Sequence, residues 1–253
     1  MALFGDLVPV GMTRRAAHLS VAPWLEVPWL DADLKCVPLD ERIAQMEAVP
    51  DPRVFKMHVP WNQLPLPHDE ATRNAIKIIT ITRDVRDLPY SKYRHFLSLR
   101  DDWLEARRFP KPDSFDDFFD GYISSGSSAD FIASSWPHFQ DPNVLVLRFE
   151  DLKHQPLSTT KQIIEFLGWE PMSDEFIEQH ILPVVSIENM KEIQYTKLYP
   201  GLFKPRSEQH SFVREGRVGA NRKKLSEEQL QRLRKHMEER VQPEALQFWW
   251  RDD

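Results

Sequence analysis

Several side chains that could do chemistry follow directly on apolar stretches of this sequence. Lys56 and His58 lie near the end of one such stretch, and Arg83 directly follows a run rich in β-branched residues. An imidazole exchanges a proton near neutral pH, which suits a general base. A guanidinium binds phosphate oxygens in two places at once. These positions are therefore candidates for proton transfer and for anion binding.

Three apolar segments have the composition of β-strands: 53–59, 76–82 and 144–149. The middle segment is nearly continuous in β-branched residues, which predicts a central parallel strand buried on both faces. Because helical patterns follow these segments, we expect an α/β fold with a parallel sheet covered on both sides. Ligands bind at the carboxyl ends of the strands in such sheets, and the side chains named above lie at those ends.

Four helices are predicted by periodicity and end signals, over 87–100, 157–167, 173–181 and from 226 onwards. Asp87 is the expected N-cap of the first, with Pro89 in its first turn. Gly168 is a natural residue to end the second. The run Ser226-Glu-Glu-Gln229 is a capping box, which begins the last helix.

The composition excludes several classes of protein. The 253 residues carry a net charge of −6, which argues against a duplex-DNA binder. None of the eight glycines forms a G-x-G-x-x-G or a G-x-x-x-x-G-K-[ST] loop, so the two standard phosphate loops are absent. Cys36 stands alone, which excludes an intramolecular disulfide and a cysteine-rich zinc site. The N-terminal apolar stretch is too short for a signal or a membrane span, so we expect a cytoplasmic protein.

Four segments, in the order of the chain, resemble motifs of the cytosolic sulfotransferases. The segments are Lys56-Met-His58-Val-Pro60, Arg83-Asp-Val-Arg-Asp87 with Ser91, Phe149-Glu-Asp-Leu-Lys153 and Phe212-Val-Arg214-Glu-Gly216-Arg-Val-Gly219. Each motif is weak alone, but four in order are specific. The resemblance runs from about residue 20 to about residue 230 and implies a single domain over 1–253. That domain would have the fold of this family, which is similar to that of the P-loop NTPases.

The resemblance implies an enzyme that moves a sulfonate group from 3′-phosphoadenosine 5′-phosphosulfate (PAPS) to a hydroxyl or amine of a small acceptor. His58 stands where the family has its general base, and Lys56 would stabilise charge on the sulfonate and the leaving phosphate. No metal, nucleic acid or membrane is implied. Alternatively, His58 is an ordinary histidine at the end of a strand, and Lys56 is a solvated lysine.

The same resemblance implies a set of residues that contact the nucleotide: Arg83, Ser91, Phe149, Ser186, Met190, Phe212, Arg214 and Gly216. Arg83 and Ser91 match the family's contacts to the 3′-phosphate, which Arg214 and Gly216 would complete. Alternatively, Arg83 pairs with Asp84 or Asp87, Ser91 is an ordinary helix-face serine, and Phe149 is a core aromatic.

Four features depart from the family pattern. Glu215 replaces the usual lysine of the C-terminal loop, and Phe149 replaces the commoner tyrosine. The family's N-terminal strand and Y-P-K-S-G-T-T-W loop, which binds the 5′-phosphosulfate, are not found in this sequence. The run 222–231 keeps the family's dimer motif poorly, so the oligomeric state stays open.

Two hypotheses from different classes follow. The first is a PAPS-dependent sulfotransferase with His58 as its base. The second is a non-catalytic protein that binds 3′,5′-adenosine bisphosphate or a partner without turnover, which Glu215 and the absent loop favour. A nucleotide kinase is a distant third, because it needs a glycine loop and a magnesium-binding Ser or Thr.

Overall fold

A computed structural model describes residues 22, 25, 35–49, 51–106, 108–193, 203–204, 207, 211, 213–214 and 216–250. These residues divide into two compact units. The first unit contains the described residues of Met1–His58, Arg94–Lys111 and Pro183–Arg214. The second contains those of Val59–Tyr93, Pro112–Leu182 and Glu215–Asp253. Each unit is thus assembled from three separate stretches of chain.

The second unit contains a parallel pair of strands, β1 (Ile78–Thr82) and β2 (Val144–Arg148). Their register runs from Ile78 opposite Val144 to Thr82 opposite Arg148. The two predicted strands therefore form, and the chain leaves both at the same edge, with Arg83 after one and Phe149 after the other.

Helices make up most of the described chain: α1 (Leu39–Glu47), α2 (Glu70–Ala75), α3 (Leu88–Ser98), α4 (Asp101–Ala106), α5 (Phe115–Ser125), α6 (Ser127–Ser135), α7 (Phe149–His154), α8 (Pro156–Leu167), α9 (Asp174–Phe176), α10 (Ile187–Ile193), α11 (Glu227–Glu238) and α12 (Pro243–Trp249). A π-helical turn, Ile177–Ile181, continues α9. The fold is thus α/β, a parallel pair of strands among helices. None of the helices in the described part is both long and apolar enough to cross a membrane.

Local signals read from the sequence begin and end several of these helices. Ser226 and Gln229 form the predicted capping box at the start of α11, in which each side chain bonds the backbone of the other. Gly168 ends α8 in the left-handed region at φ +72°, as expected. Ser173 accepts a hydrogen bond from the Phe176 N–H and begins α9.

The core of the second unit lies mainly among α5, α6, α11 and α12. Its most buried members are Val85, Phe119, Ala129, Ile132, Leu233, Met237, Ala245 and Trp249. Val85 lies in the turn that follows β1, and no part of it reaches solvent. Burial of this side chain fixes the turn between Arg83 and Asp87.

A smaller core lies in the first unit, where Leu99, Leu104 and Phe203 pack together with Phe96 and Trp103. Leu99 forms an isolated antiparallel bridge with Phe203. The neighbouring Lys204 N–H donates to the Ser98 carbonyl at 2.8 Å. These contacts tie the described residues near 203 to the end of α3.

The prediction that β1 is buried on both faces is wrong. Ile79 is 37% exposed and Ile81 49% exposed, whereas the alternate residues Thr80 and Thr82 are buried. Within the described residues, only one face of this strand is fully covered. The sequence pattern did not show this, because β-branched residues favour strands whether one face or two are buried.

The prediction of a strand over 53–59 is also wrong. In this stretch, only Lys56 takes part in an isolated bridge, and its carbonyl accepts a hydrogen bond from the Leu25 N–H at 3.1 Å. An apolar, β-branched composition does not make a strand by itself, because a strand also needs a partner along its length.

The N-cap at the start of α3 differs from the prediction as well. A 3₁₀ turn, Val85–Asp87, precedes α3, and the carboxylate of Asp84 caps this turn by accepting from the Arg86 N–H. Asp87 does not serve as the N-cap, and its carboxylate is engaged elsewhere.

Candidate functional site

Arg83 is held on three sides at the carboxyl end of β1. Its Nε and Nη2 donate to Oδ2 of Asp87 at 3.3 and 3.1 Å. Its guanidinium carbon lies 4.5 Å from the centre of the Phe149 ring. Nη2 also lies 3.5 Å from the Arg217 carbonyl oxygen, and Nη1 makes none of these contacts. Contacts of Nε, Nη2 and the flat face therefore fix the guanidinium, and Nη1 is not among the atoms that make them.

The Arg83–Asp87 ion pair was the alternative to phosphate binding for Arg83, and it is present. The pair is largely shielded from solvent, since the Arg83 side chain is 18% exposed and that of Asp87 is completely buried. A guanidinium has five N–H donors, so an ion pair through Nε and Nη2 does not exhaust its capacity. The two interpretations of Arg83 are compatible.

Asp87 connects the end of β1 to the loop 216–222. Its Oδ1 accepts hydrogen bonds from the Asn221 and Arg222 N–H groups at 3.0 and 2.8 Å. Its Oδ2 accepts from the Gly219 N–H at 2.9 Å and from Arg83. A buried carboxylate needs several donors of this kind, because burying an unpaired charge is costly.

Gly219 has a structural reason to be glycine. It has φ +69°, and a Cβ at this position would lie 3.1 Å from Nε of Arg222. Its N–H is directed at Asp87, so this group is engaged within the protein. Gly216, the glycine with the stronger resemblance to the phosphate loop, also has a positive φ, +59°.

A second set of ion pairs lies beside Arg83 and Asp87. Asp84 accepts from Arg86 at 2.6 Å and lies 3.7 Å from the Arg222 side chain. The Asp84 N–H donates to Glu150 at 3.3 Å, and Glu150 lies 3.7 Å from Arg148. These contacts connect the residues that follow β1 to those that follow β2.

Ser91 lies in the first turns of α3 with a half-buried side chain. The structure records no contact between its hydroxyl and Arg83 in the described part of the chain. Ser91 and Arg83 belong to the same unit, as does Phe149, whose ring lies against the Arg83 guanidinium. The structure thus brings Arg83 and Phe149 into contact, and the loop that bears Gly216 reaches Arg83 through Arg217.

The other candidates belong to the first unit: Lys56, His58, Ser186, Met190 and Arg214. His58 is exposed and Lys56 half-buried, in the irregular stretch that follows the Lys56 bridge. The Ser186 hydroxyl accepts from the Asn189 N–H at 3.2 Å, at the start of α10. Met190 and Arg214 are half-buried. Phe212 and Glu215 lie outside the described residues.

Sequence reasoning offered the Arg83–Asp87 pair as an alternative, but it missed the contacts that the loop 216–222 makes with Asp87 and Arg83. The spacing of four residues between Arg83 and Asp87 permits the ion pair, but it does not predict that the Asp87 carboxylate also accepts hydrogen bonds from the backbone of a distant loop. Arg217 contributes only a backbone carbonyl, for which no sequence signal exists. In the described part, no three His, Cys, Asp or Glu side chains are grouped so as to hold a metal ion.

Comparison with known proteins gives a match to the model of the sulfotransferase domain family over residues 9–244. Sulfotransferase 1E1 of Bos taurus is 29% identical over 229 residues, which cover 88% of this chain and 72% of that protein. Cytosolic sulfotransferase 5 of Arabidopsis thaliana is 28% identical over 236 residues, covering 91% and 70%.

Solved structures resemble this fold. Mouse sulfotransferase SULT7A1 complexed with PAP matches with a TM-score of 0.65 at 20% identity, over 81% of this chain and 71% of that one. Retinol dehydratase in complex with androsterone and the inactive cofactor PAP matches with a TM-score of 0.62 at 23% identity. That alignment covers 80% of this chain, which spans 57% of the length of retinol dehydratase.

Proposed function

The chain belongs to the sulfotransferase domain family, and on this basis we propose that it transfers a sulfonate group from PAPS to a hydroxyl or amine of a small acceptor. The observation that carries the proposal is the fixed guanidinium of Arg83. It lies at the carboxyl end of β1, between Asp87 and the Phe149 ring. Anions bind best to donors that are already oriented, because no ordering cost remains at binding.

In the proposed reaction, the acceptor oxygen or nitrogen attacks the sulfur of PAPS and forms a new bond to it. The bond between sulfur and the bridging phosphate oxygen breaks, and its electron pair leaves with 3′,5′-adenosine bisphosphate. His58 takes the proton from the acceptor, for which an exposed imidazole is suited. Lys56 stabilises negative charge on the sulfonate and the leaving phosphate.

The nucleotide contacts are part of the same proposal. Arg83, Ser91, Arg214 and Gly216 hold the 3′-phosphate, and Phe149, Ser186, Met190 and Phe212 flank the nucleoside. The Ser186 hydroxyl already caps α10, so its remaining capacity is an acceptor lone pair and its proton. PAP in the solved structures of relatives supports a nucleotide of this class. The cytoplasm is the proposed location, in keeping with the name of the Arabidopsis relative.

A second function is a binding protein that holds 3′,5′-adenosine bisphosphate without turnover. Two observations favour it. Glu215 stands where the family has a lysine. The charge of Arg83 is also opposed by the buried carboxylate of Asp87, which weakens its attraction for a phosphate.

An acceptor screen with sulfur-35-labelled PAPS separates the two functions. We expect labelled product with at least one class among phenols, alcohols and amines. The His58→Ala variant should lose about 10²- to 10⁴-fold of the rate, because the base is gone. His154→Ala, which removes an exposed histidine at the end of α7, is the matched control and should keep the rate.

Nucleotide binding without any labelled product would leave the binding protein as the function. Transfer that persists in His58→Ala at the rate of the His154→Ala control would refute the role of His58 as the base.

A further inference from the structure

Asp87 is the most completely enclosed carboxylate among the described residues of the second unit, and none of it reaches solvent. Three backbone N–H groups and the Arg83 guanidinium surround it. Its contacts in the loop 216–222 are more than 130 residues away along the chain, from Gly219 at a separation of 132 to Arg222 at 135. One side chain thus holds two distant segments together.

The two oxygens of Asp87 have different partners. In the part of the chain that the structure describes, Oδ1 accepts from the loop alone, through the Asn221 and Arg222 N–H groups. Oδ2 accepts from the Gly219 N–H at 2.9 Å and from Arg83 Nη2 at 3.1 Å. Because one oxygen is shared, the position of the guanidinium and the position of the loop are set by the same atom.

The loop also holds Arg83 directly, since the Arg217 carbonyl oxygen lies 3.5 Å from Nη2. Gly216, which resembles the phosphate-binding glycine of the family, directly precedes Arg217. The loop therefore cannot leave Asp87 without removing a neighbour from Arg83. Displacement of Arg83 would likewise leave a buried carboxylate without its cation.

We propose that Asp87 is a positioning residue, which fixes the Arg83 guanidinium and the loop 216–222 in the relative geometry that binds the 3′-phosphate of the nucleotide. The inference rests on the proposed function. Asp87 itself does not touch the nucleotide in this proposal, and it acts through Arg83 and the loop. The three backbone N–H groups offset part of the carboxylate charge, so Asp87 orients the guanidinium while Arg83 keeps part of its attraction for the phosphate.

The test is the preference of the folded protein for 3′,5′-adenosine bisphosphate over 5′-AMP, measured by calorimetry. The two ligands differ only in the 3′-phosphate. In Asp87→Asn, the amide directs N–H groups at Arg83 or at the loop, which puts donor against donor. We expect the preference to fall about tenfold or more relative to the unmodified protein, because hydrogen bonds to charged groups have strengths of this order.

The matched control is Asp84→Asn. Asp84 is also buried and lies in the same turn. It pairs with Arg86 and lies 3.7 Å from the Arg222 side chain, but in the described part of the chain it accepts no hydrogen bond from Arg83 or from the backbone of the loop. We expect this variant to keep the preference of the unmodified protein within about twofold. A purely structural role of a buried carboxylate would lower stability in both variants and leave the preference of each unchanged.

Gly219→Ala provides a second route if Asp87→Asn does not fold. A Cβ there strains a backbone with φ +69° and meets Arg222, so the loop shifts on Asp87 while the carboxylate stays. We expect the same loss of preference. Where both single variants fold, their combination should lose less than the product of the two effects, because both act on one contact.

The outcomes separate the two proposals. An unmodified protein that shows no preference for 3′,5′-adenosine bisphosphate overturns the proposed nucleotide site and this inference with it. A clear preference that survives in Asp87→Asn, or in Gly219→Ala where Asp87→Asn is unfolded, overturns the inference alone. A loss of equal size in Asp84→Asn also overturns it.

Discussion

Arg83 combines a structural and a proposed binding role. Its Nε and Nη2 face Asp87, and its flat guanidinium lies against Phe149. Lysine cannot reproduce this arrangement, because an ammonium is a point charge without a planar fork. Both roles therefore depend on the geometry of arginine and not on charge alone.

Arg83→Ala should weaken the binding of 3′,5′-adenosine bisphosphate by about 10- to 100-fold, because a charge-assisted contact to phosphate is lost. Arg83→Lys should recover only a small part of that affinity. Calorimetric titration of both variants gives the two values. The variants should also unfold more easily, since Asp87 stays buried without its guanidinium.

Arg232→Ala is a suitable control for that titration. Arg232 lies in α11 and pairs with the exposed Asp120 of α5 at 2.6 Å, and among the described residues no contact between Arg232 and a candidate residue of the site is recorded. Its loss should leave nucleotide affinity unchanged. If Arg83→Ala binds the nucleotide as tightly as Arg232→Ala does, Arg83 holds no phosphate and the ion pair with Asp87 is its whole role.

At the scale of elements, β1 and β2 differ in their burial although they are register partners. Ile81 is 49% exposed, whereas Leu147, which lies opposite it, is 3% exposed. Both strands were predicted from the same kind of apolar run. The helices that pack in the second unit bury Leu147 and leave Ile81 half in solvent.

This difference predicts unequal effects of truncation. Leu147→Ala should lower the free energy of unfolding by about 2–5 kcal/mol, the range for a buried leucine. Ile81→Ala should cost less than half of that, because much of the side chain is already hydrated. Denaturant unfolding of the two variants measures both values. Equal losses would show that Ile81 is buried in solution.

At the scale of the whole molecule, the two units are each assembled from three stretches of chain. Their cores therefore form only when distant segments meet. The second-unit core contains Tyr122, whose ring lies among the buried residues of α5, α6 and α11. Because this phenol is buried only in the folded state, its titration makes the free energy of unfolding depend on pH.

Burial raises the pKa of Tyr122 to about 12, because desolvation disfavours the phenolate and outweighs the opposing effect of the nearby Ser128. The phenol in the unfolded chain has a pKa near 10. Between about pH 10 and 12, the unfolded state therefore loses its proton first, and the free energy of unfolding falls as the pH rises. The loss amounts to about 1–3 kcal/mol across this window.

Tyr122→Phe should remove this part of the alkaline loss. The measurement is the denaturant midpoint at pH 9 and pH 11, compared with that of the unmodified protein. Tyr93→Phe removes a phenol that is only half-buried and should retain the loss. If the denaturant midpoint falls by the same amount from pH 9 to pH 11 in all three proteins, the Tyr122 hydroxyl is not buried in solution.

The amino-acid sequence by itself determined the elements that depend on near neighbours. The capping box at Ser226, the left-handed Gly168 and the two apolar runs that became β1 and β2 all appear where they were predicted. The family was also evident, because its motifs are short runs of adjacent residues. The capping box and the left-handed glycine are fixed by interactions within a few residues, and the apolar composition of a strand is also local, so a sequence pattern can represent both.

Only the tertiary structure decided what depends on distant segments. It assigned Asp87 to the loop 216–222 and not to a helix cap, and it left one face of β1 exposed. Within the described residues, it gave 53–59 no strand pairing beyond an isolated bridge at Lys56. The physical reason is the same in each case. A carboxylate, a strand face or a strand edge takes its role from the group that packs against it, and that group lies far along the chain.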